Sequence, residues 1–166
     1  GPSMRAGDDR RPVMSVLLSI LGGSMSSRLF QEIREKRGLA YTTYAFDSPY
    51  SDTGAWGMYA GTAPERASEV EKLMQAELEK LAATGPREDE LARVRGQLRG
   101  GMALGLEDTL SRMSRLGRAE LSGRYFSVDA ALARIEAVQA EDVRALAQDL
   151  AGRCVFTAEV VPEDRA

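Results

Sequence analysis

The sequence predicts an α+β domain in which several helices pack on one face of a small, mostly antiparallel sheet. Three observations lead to this fold class. Apolar residues recur at helical spacing in several segments, two alternating segments are joined by turn-forming residues, and another alternating segment lies near the end of the chain. With 166 residues and a hydrophobic share of 43%, the chain is long and apolar enough to form one domain with its own core.

The first segment with helical spacing begins at Pro12, a residue suited to the first turn of a helix. Its apolar stripe consists of Val13, Val16, Leu17, Ile20 and Leu21. Gly22 and Gly23 are expected to bend or interrupt the helix, or to allow close packing. Helical spacing then resumes at Leu29, Phe30 and Ile33. Gly38 is a natural C-terminal cap, because glycine readily adopts a left-handed conformation.

Two alternating segments follow and predict a β-hairpin. Residues 41–46 place Thr42, Tyr44 and Phe46 on one face, and Tyr41, Thr43 and Ala45 on the other. Residues 55–61 place Trp56, Met58 and Ala60 on one face, which we interpret as the core side, with Tyr59 pointing outward. The connecting residues 48–54 are rich in Ser, Pro, Asp and Gly, which favour turns.

The rest of the chain is predicted to be helical up to Gly152, followed by a final strand. Residues 62–65, Thr-Ala-Pro-Glu, match a helix capping box. The final strand alternates Cys154, Phe156, Ala158 and Val160, and Cys154 is expected to be a small buried apolar side chain. Three strands barely cover so many helices, so the sheet is expected to lack its first strand. Residues 1–7 are interpreted as an expression scar and linker, and residues 8–166 as the domain.

The composition excludes several kinds of site. The chain contains no histidine and one cysteine, so it cannot form a zinc site based on imidazole, a catalytic triad or a Cys–His pair. The net charge is -3 and no basic block stands out, which argues against nucleic acid as a partner. No apolar run is long enough to span a membrane. The single cysteine is consistent with a cytoplasmic location.

Residues 21–41 read LGGSMSSRLFQEIREKRGLAY. This stretch resembles the second-domain signature of the pitrilysin and mitochondrial-processing-peptidase-like zinc metallopeptidases, the inverzincins. The likeness continues through nearly all of residues 8–161. It implies a LuxS/MPP-like metallohydrolase module, with a ferredoxin-like antiparallel sheet and helices on one face. In such proteases this module belongs to the C-terminal half, and here it is expected to be truncated.

The resemblance also implies where the chemistry lies. Zinc is held by an inverted His-x-x-Glu-His helix in the N-terminal half of these proteases, so this chain is expected to bind no metal. The C-terminal half presents an arginine and a tyrosine seven positions apart, which face the zinc across a cavity. Arg34 and Tyr41 match them, and both can donate hydrogen bonds to the substrate or to the oxyanion formed in peptide hydrolysis. Arg37, in the same loop, is the alternative to Arg34.

Two functions of different classes follow from the resemblance. In the first, the full protein is a zinc endopeptidase that hydrolyses extended peptides in a closed chamber, and this fragment is an inactive wall of that chamber. In the second, the protein is a non-catalytic partner or assembly subunit of a processing-peptidase-like complex. The expected partners are a peptide substrate and either the N-terminal half of the same protein or a zinc-bearing subunit. Self-association through the incomplete sheet is a further alternative.

Overall fold

The computed structural model describes residues 1–153 and 155–162, and it has helices packed on one face of an antiparallel hairpin. The hairpin consists of β1 (Ala40–Pro49) and β2 (Gly54–Thr62). The α-helices are α1 (Arg11–Gly22), α2 (Ala67–Thr84), α3 (Glu88–Glu107), α4 (Thr109–Ser122), α5 (Val128–Glu136) and α6 (Ala140–Ala151). A π-helical segment spans Phe30–Glu35, and a short 3-10 turn spans Pro64–Arg66. The predicted α+β class is confirmed.

Helix α1 lies at the centre of the core. Val16, Leu17 and Leu21 of the predicted stripe are fully buried, whereas Val13 is only partly buried. Met14, which the prediction left out, is fully buried as well. The helix contacts β1, α3, α5 and α6. The inner face of β2 adds Trp56, which is 3% exposed, with Met58 and Ala60 packed against the same core. The opposite face of the hairpin carries no helix among the described residues.

Gly22 allows α1 to end directly against β1. A Cβ atom on this residue would overlap the backbone nitrogen of Ala45 and would lie 2.7 Å from the carbonyl carbon of Tyr44. Any larger residue would push the helix away from the strand, and overpacking of this kind is destabilising. Of the roles considered for the Gly22–Gly23 pair, the structure therefore supports close packing for Gly22.

The predicted final strand is wrong for the residues that the structure describes. Residues 155–162 form neither strand nor helix, and Val160 is fully exposed. Alternation alone does not make a strand, because the backbone also needs a neighbour to pair with, and none of the described strands lies beside this segment. The prediction for Cys154 falls outside the described residues.

Two other features differ from the predictions. Residues 1–6 are not detached from the domain, since the Ser3 N–H donates to the Gly54 carbonyl at 2.8 Å and Met4 is buried. The domain boundary at residue 8 stays a prediction. The capping box at residues 62–65 is wrong, because Thr62 ends β2 and no side chain caps the turn that follows.

Helix α4 carries an apolar stripe on an exposed face. Leu110, Met113 and Leu116 are all more than half exposed. No described helix is both long and apolar enough to cross a lipid bilayer.

Candidate functional site

Arg34 and Tyr41 lie at the two ends of a tight connection between the π-helical segment and β1. The Lys36 N–H donates to the Gln31 carbonyl at 3.0 Å, a five-residue spacing that marks the π turn. Gly38 then adopts a left-handed φ of 60°, as its predicted role in ending the helix requires. Its N–H donates to the Arg34 carbonyl at 3.0 Å, so the chain reverses immediately after the arginine.

Two side chains from elsewhere in the fold hold this connection, one at the end of β2 and one in the turn that follows it. The Thr62 hydroxyl donates to the Leu39 carbonyl at 2.5 Å. The Arg66 guanidinium donates to the Gly38 carbonyl at 2.8 Å. Two backbone carbonyls that the turn leaves open are therefore satisfied, and the positions of Arg34 and Tyr41 do not depend on the short connection alone.

Arg34 presents a charged group that is available to a ligand. Its guanidinium carbon lies 4.8 Å from the centre of the Phe30 ring, a cation–π contact that uses the flat face of the guanidinium. The N–H groups lie in the plane of that group and remain free to donate at its edge. Within residues 1–153 and 155–162, no carboxylate pairs with Arg34 at 4 Å or less.

Arg37 and Lys36 are occupied instead. Both contact Glu32: the Lys36 ammonium lies 2.9 Å from one carboxylate oxygen, and Arg37 pairs with the other. Hydrogen bonds from Lys36 and then Arg37 lower the pKa of Glu32 to about 2, so this carboxylate stays ionised and keeps both cations paired at neutral pH. This geometry favours Arg34 over Arg37 as the ligand-binding arginine.

Tyr41 is exposed because the strand contains a bulge there. Ala40 pairs with Thr62 and Thr42 pairs with Gly61, which leaves Tyr41 without a partner in the register. Strict alternation had placed Tyr41 on the face of Thr43, but its side chain is 73% exposed. Bulges commonly redirect a side chain in this way next to functional sites.

The ring of Tyr41 rests on Gly61, a residue that sequence analysis did not assign to the site. A Cβ atom on Gly61 would lie 2.7 Å from two ring carbons of Tyr41 and 2.9 Å from its hydroxyl oxygen. A glycine inside a strand often marks the close approach of another group, and that signal could have identified Gly61.

We expect Gly61→Ala to displace Tyr41 with little loss of stability. Because the Tyr41 ring is largely exposed, it can rotate away from the new methyl group without disturbing the core. The free energy of unfolding measured in urea should change by less than about 1 kcal/mol. If a longer protein hydrolyses peptides, as the resemblance implies, its rate should fall toward that of a variant lacking the Tyr41 hydroxyl. Unchanged hydrolysis would show that the ring position does not matter.

The described residues form no cluster that fits a metal ion. Nowhere in the described chain do three or more Cys, Asp and Glu side chains gather to hold an ion, and the sequence has no histidine. Zinc ligands in hydrolytic sites are mainly imidazoles, and this sequence offers none.

Residues 2–98 match the family model described as the Peptidase M16 inactive domain. The chain is 50% identical over 153 residues to an uncharacterized zinc protease of Streptomyces coelicolor, an alignment that covers 92% of this chain and 33% of that protein.

Two solved structures share the fold. A protease from Helicobacter pylori superposes with a TM-score of 0.83 at 18% identity, over 89% of this chain and 36% of the other. A peptidase M16 inactive domain from Pseudomonas fluorescens superposes with a TM-score of 0.78 at 23% identity, over 88% of this chain and 35% of the other. These likenesses confirm the fold.

The chain spans about a third of the length of the curated relatives that it matches. Its match to the family model covers more than half of its residues. The chain therefore belongs to the M16 peptidase family, as an inactive domain.

Proposed function

We propose that this chain forms the zinc-free wall of a peptide-hydrolysing chamber in a longer zinc protease. In this role Arg34 and Tyr41 bind the substrate backbone and the oxyanion that develops during hydrolysis. The chain alone is inactive, and the zinc is held by the N-terminal half of the same protein or by a partner subunit. The names of the curated relatives support a zinc protease as the parent protein.

The observation that carries the proposal is the placement of both residues at backbone irregularities. Arg34 lies in the π-helical segment and Tyr41 lies in the bulge of β1. Such irregularities interrupt regular hydrogen bonding and occur often at functional sites. Here they expose a guanidinium and a phenol on either side of a connection that external side chains hold in place.

The side chains of Arg34 and Tyr41 are chemically suited to stabilise an oxyanion. Attack on a peptide carbonyl converts it into a tetrahedral oxyanion, and donors already in position stabilise that charge. A guanidinium offers several N–H donors in one plane, and a phenol offers one O–H donor. In this role Arg34 supplies a positive charge, and the single O–H group of Tyr41 supplies a directional hydrogen bond.

Tyr41→Phe in the longer protein tests this role. The change removes only the hydroxyl group, so we expect kcat for an extended peptide to fall about 10- to 100-fold, because a hydrogen bond to a charged group contributes about 1.5–3 kcal/mol. Zinc content should be unchanged. Tyr125→Phe is the control, since Tyr125 is equally exposed but lies between α4 and α5. If both variants keep full activity, Tyr41 has no role in the reaction.

Helix α4 carries a surface that is suited to contact with a protein partner. Its exposed stripe of Leu110, Met113 and Leu116 is apolar, and the relatives are about three times as long as this chain, so we propose that the rest of the longer protein covers this stripe. Self-association of two copies through the open sheet is the alternative, and it would appear as a dimer in sedimentation.

The description of the family as an inactive domain favours a second function, that of a non-catalytic partner or assembly subunit. The two functions differ in one measurable respect. In a purely structural subunit, Arg34 and Tyr41 could be replaced without any loss of turnover in the assembled complex.

A further inference from the structure

The face of the hairpin that points away from the helices carries a row of aromatic rings. Tyr44 and Tyr59 are directly opposite in the register and stack, with ring centres 4.9 Å apart. Phe46 extends the row, with its ring centre 6.1 Å from that of Tyr44. These three side chains are each about 40% exposed, although aromatic rings of this size are usually better buried.

Glycines in β2 give the row a flat base. Gly57 pairs with Phe46, and a Cβ atom there would lie 2.7 Å from the tip of the Phe46 ring. Gly61 holds the ring of Tyr41 in the same manner, as described above. Two of the rings therefore lie over β2 instead of standing away from it, and the β2 residues beneath and within the row follow in the order Gly57, Tyr59 and Gly61.

The row is also uncharged. The residues of β1 and β2 that share this face are Thr42, Tyr44, Phe46, Ser48, Ala55, Gly57, Tyr59 and Gly61. None of them is acidic or basic, in a chain in which 28% of residues are charged. A nucleic acid would require basic groups beside the rings, so the composition of the face fits uncharged, apolar side chains instead.

We infer that this aromatic row binds apolar side chains of an extended peptide whose backbone reaches Arg34 and Tyr41. The inference rests on the proposed function, because it names the feature of the substrate that leads to that pair. Rings already held on the sheet lose little freedom on binding, and the tyrosine hydroxyls can donate to a peptide backbone. The row therefore selects peptides with aliphatic or aromatic residues.

Peptide binding by the 166-residue chain itself tests the inference without any zinc or turnover. The probes are two fluorescein-labelled twelve-residue peptides, identical except that three alternate positions carry Leu in one and Ser in the other. We expect fluorescence anisotropy to show about tenfold tighter binding of the Leu peptide, which corresponds to about 1.4 kcal/mol, and loss of this preference in Y44S/Y59S. Tyr125→Ser is the control and should retain it.

Several outcomes would overturn the inference. Equal binding of the two peptides is one, and a preference that survives Y44S/Y59S is another. A third is a dimer that Y44S/Y59S dissociates while the Leu peptide fails to bind, since the row would then pair two copies. If circular dichroism shows that the double variant is unfolded, Tyr59→Ser alone replaces it, because it removes one half of the stacked pair.

The peptide-binding data, together with the activity of the Tyr41→Phe protease, separate this inference from the proposed function. A Leu preference that depends on Tyr44 and Tyr59, together with full activity of the Tyr41→Phe protease, would support the binding row and contradict the role of Tyr41. No Leu preference, together with reduced activity of the Tyr41→Phe protease, would support the role of Tyr41 and contradict the binding row.

Discussion

Arg28→Ala is expected to lower the free energy of unfolding by about 3–5 kcal/mol at neutral pH, because it removes the close cation of a buried carboxylate and leaves only the exposed Arg87 guanidinium, 3.8 Å away. The guanidinium of Arg28 contacts both oxygens of Glu90, at 2.9 and 2.8 Å. It also donates to the Gly85 carbonyl at 3.1 Å. Both charged side chains are largely buried, at 12% and 7% exposure. The pair joins the start of the π-helical region to the first turn of α3.

The effect of Arg28→Ala should depend on pH. Burial by itself would raise the pKa of Glu90, but hydrogen bonds from the Arg28 side chain and the Arg87 N–H bring it below its ordinary value. A carboxyl group with a lowered pKa stabilises the fold above its unfolded-state pKa, and that stabilisation is lost as pH falls through the folded-state pKa. The difference between wild type and variant should therefore be largest near neutral pH and shrink in acid.

Urea denaturation at several pH values measures this difference. The matched control is Arg93→Ala on α3, the helix that also carries Glu90. The ion pair of Arg93 with Asp89, at 2.7 Å, is exposed to solvent and should contribute little to stability. Equal losses of stability in Arg28→Ala and Arg93→Ala would show that the buried ion pair contributes no more than the exposed one. Glu90→Gln added to Arg28→Ala should recover part of the stability.

Arg34→Ala is expected to lower kcat of the longer protease by about 10²–10³-fold, the usual cost of removing one donor to an oxyanion. The fold should be unaffected, because the side chain is exposed and packs only on Phe30 among the ring contacts described. Zinc content should stay constant, since the proposal places the zinc ligands outside this chain. Peptide hydrolysis and metal analysis on the same preparation check both statements.

The control for Arg34→Ala is Arg37→Ala, three residues away. Arg37 is paired with Glu32, so its removal should change turnover only a few-fold. A greater loss with Arg37→Ala than with Arg34→Ala would reverse the assignment of the two arginines.

Much of the fold could be predicted because local patterns determine it. The apolar stripe of α1 and the left-handed Gly38 follow from spacing and glycine chemistry, and both are confirmed. The hairpin was predicted a few residues too short, because Ser48 and Pro49 resemble turn residues yet pair with Ala55 and Gly54 at its tip. The final strand failed because pairing, unlike alternation, depends on a neighbour.

The features that surround the site could not be predicted. The contact between Arg28 and Glu90 joins residues 62 positions apart, and neither local sequence predicts it. The bulge at Tyr41 breaks an alternation that looks regular, so sequence alone put its ring on the wrong face. Sequence likeness selected Arg34 and Tyr41, whereas only coordinates show that Arg37 is already paired.

A double-mutant cycle of Arg34→Ala and Tyr41→Phe, measured as kcat/KM of the longer protease, tests most directly whether both side chains bind one developing charge. If they do, the two losses are not additive, and the coupling energy should be at least about 1 kcal/mol. Losses that add within about 0.3 kcal/mol would contradict a shared role at one substrate group.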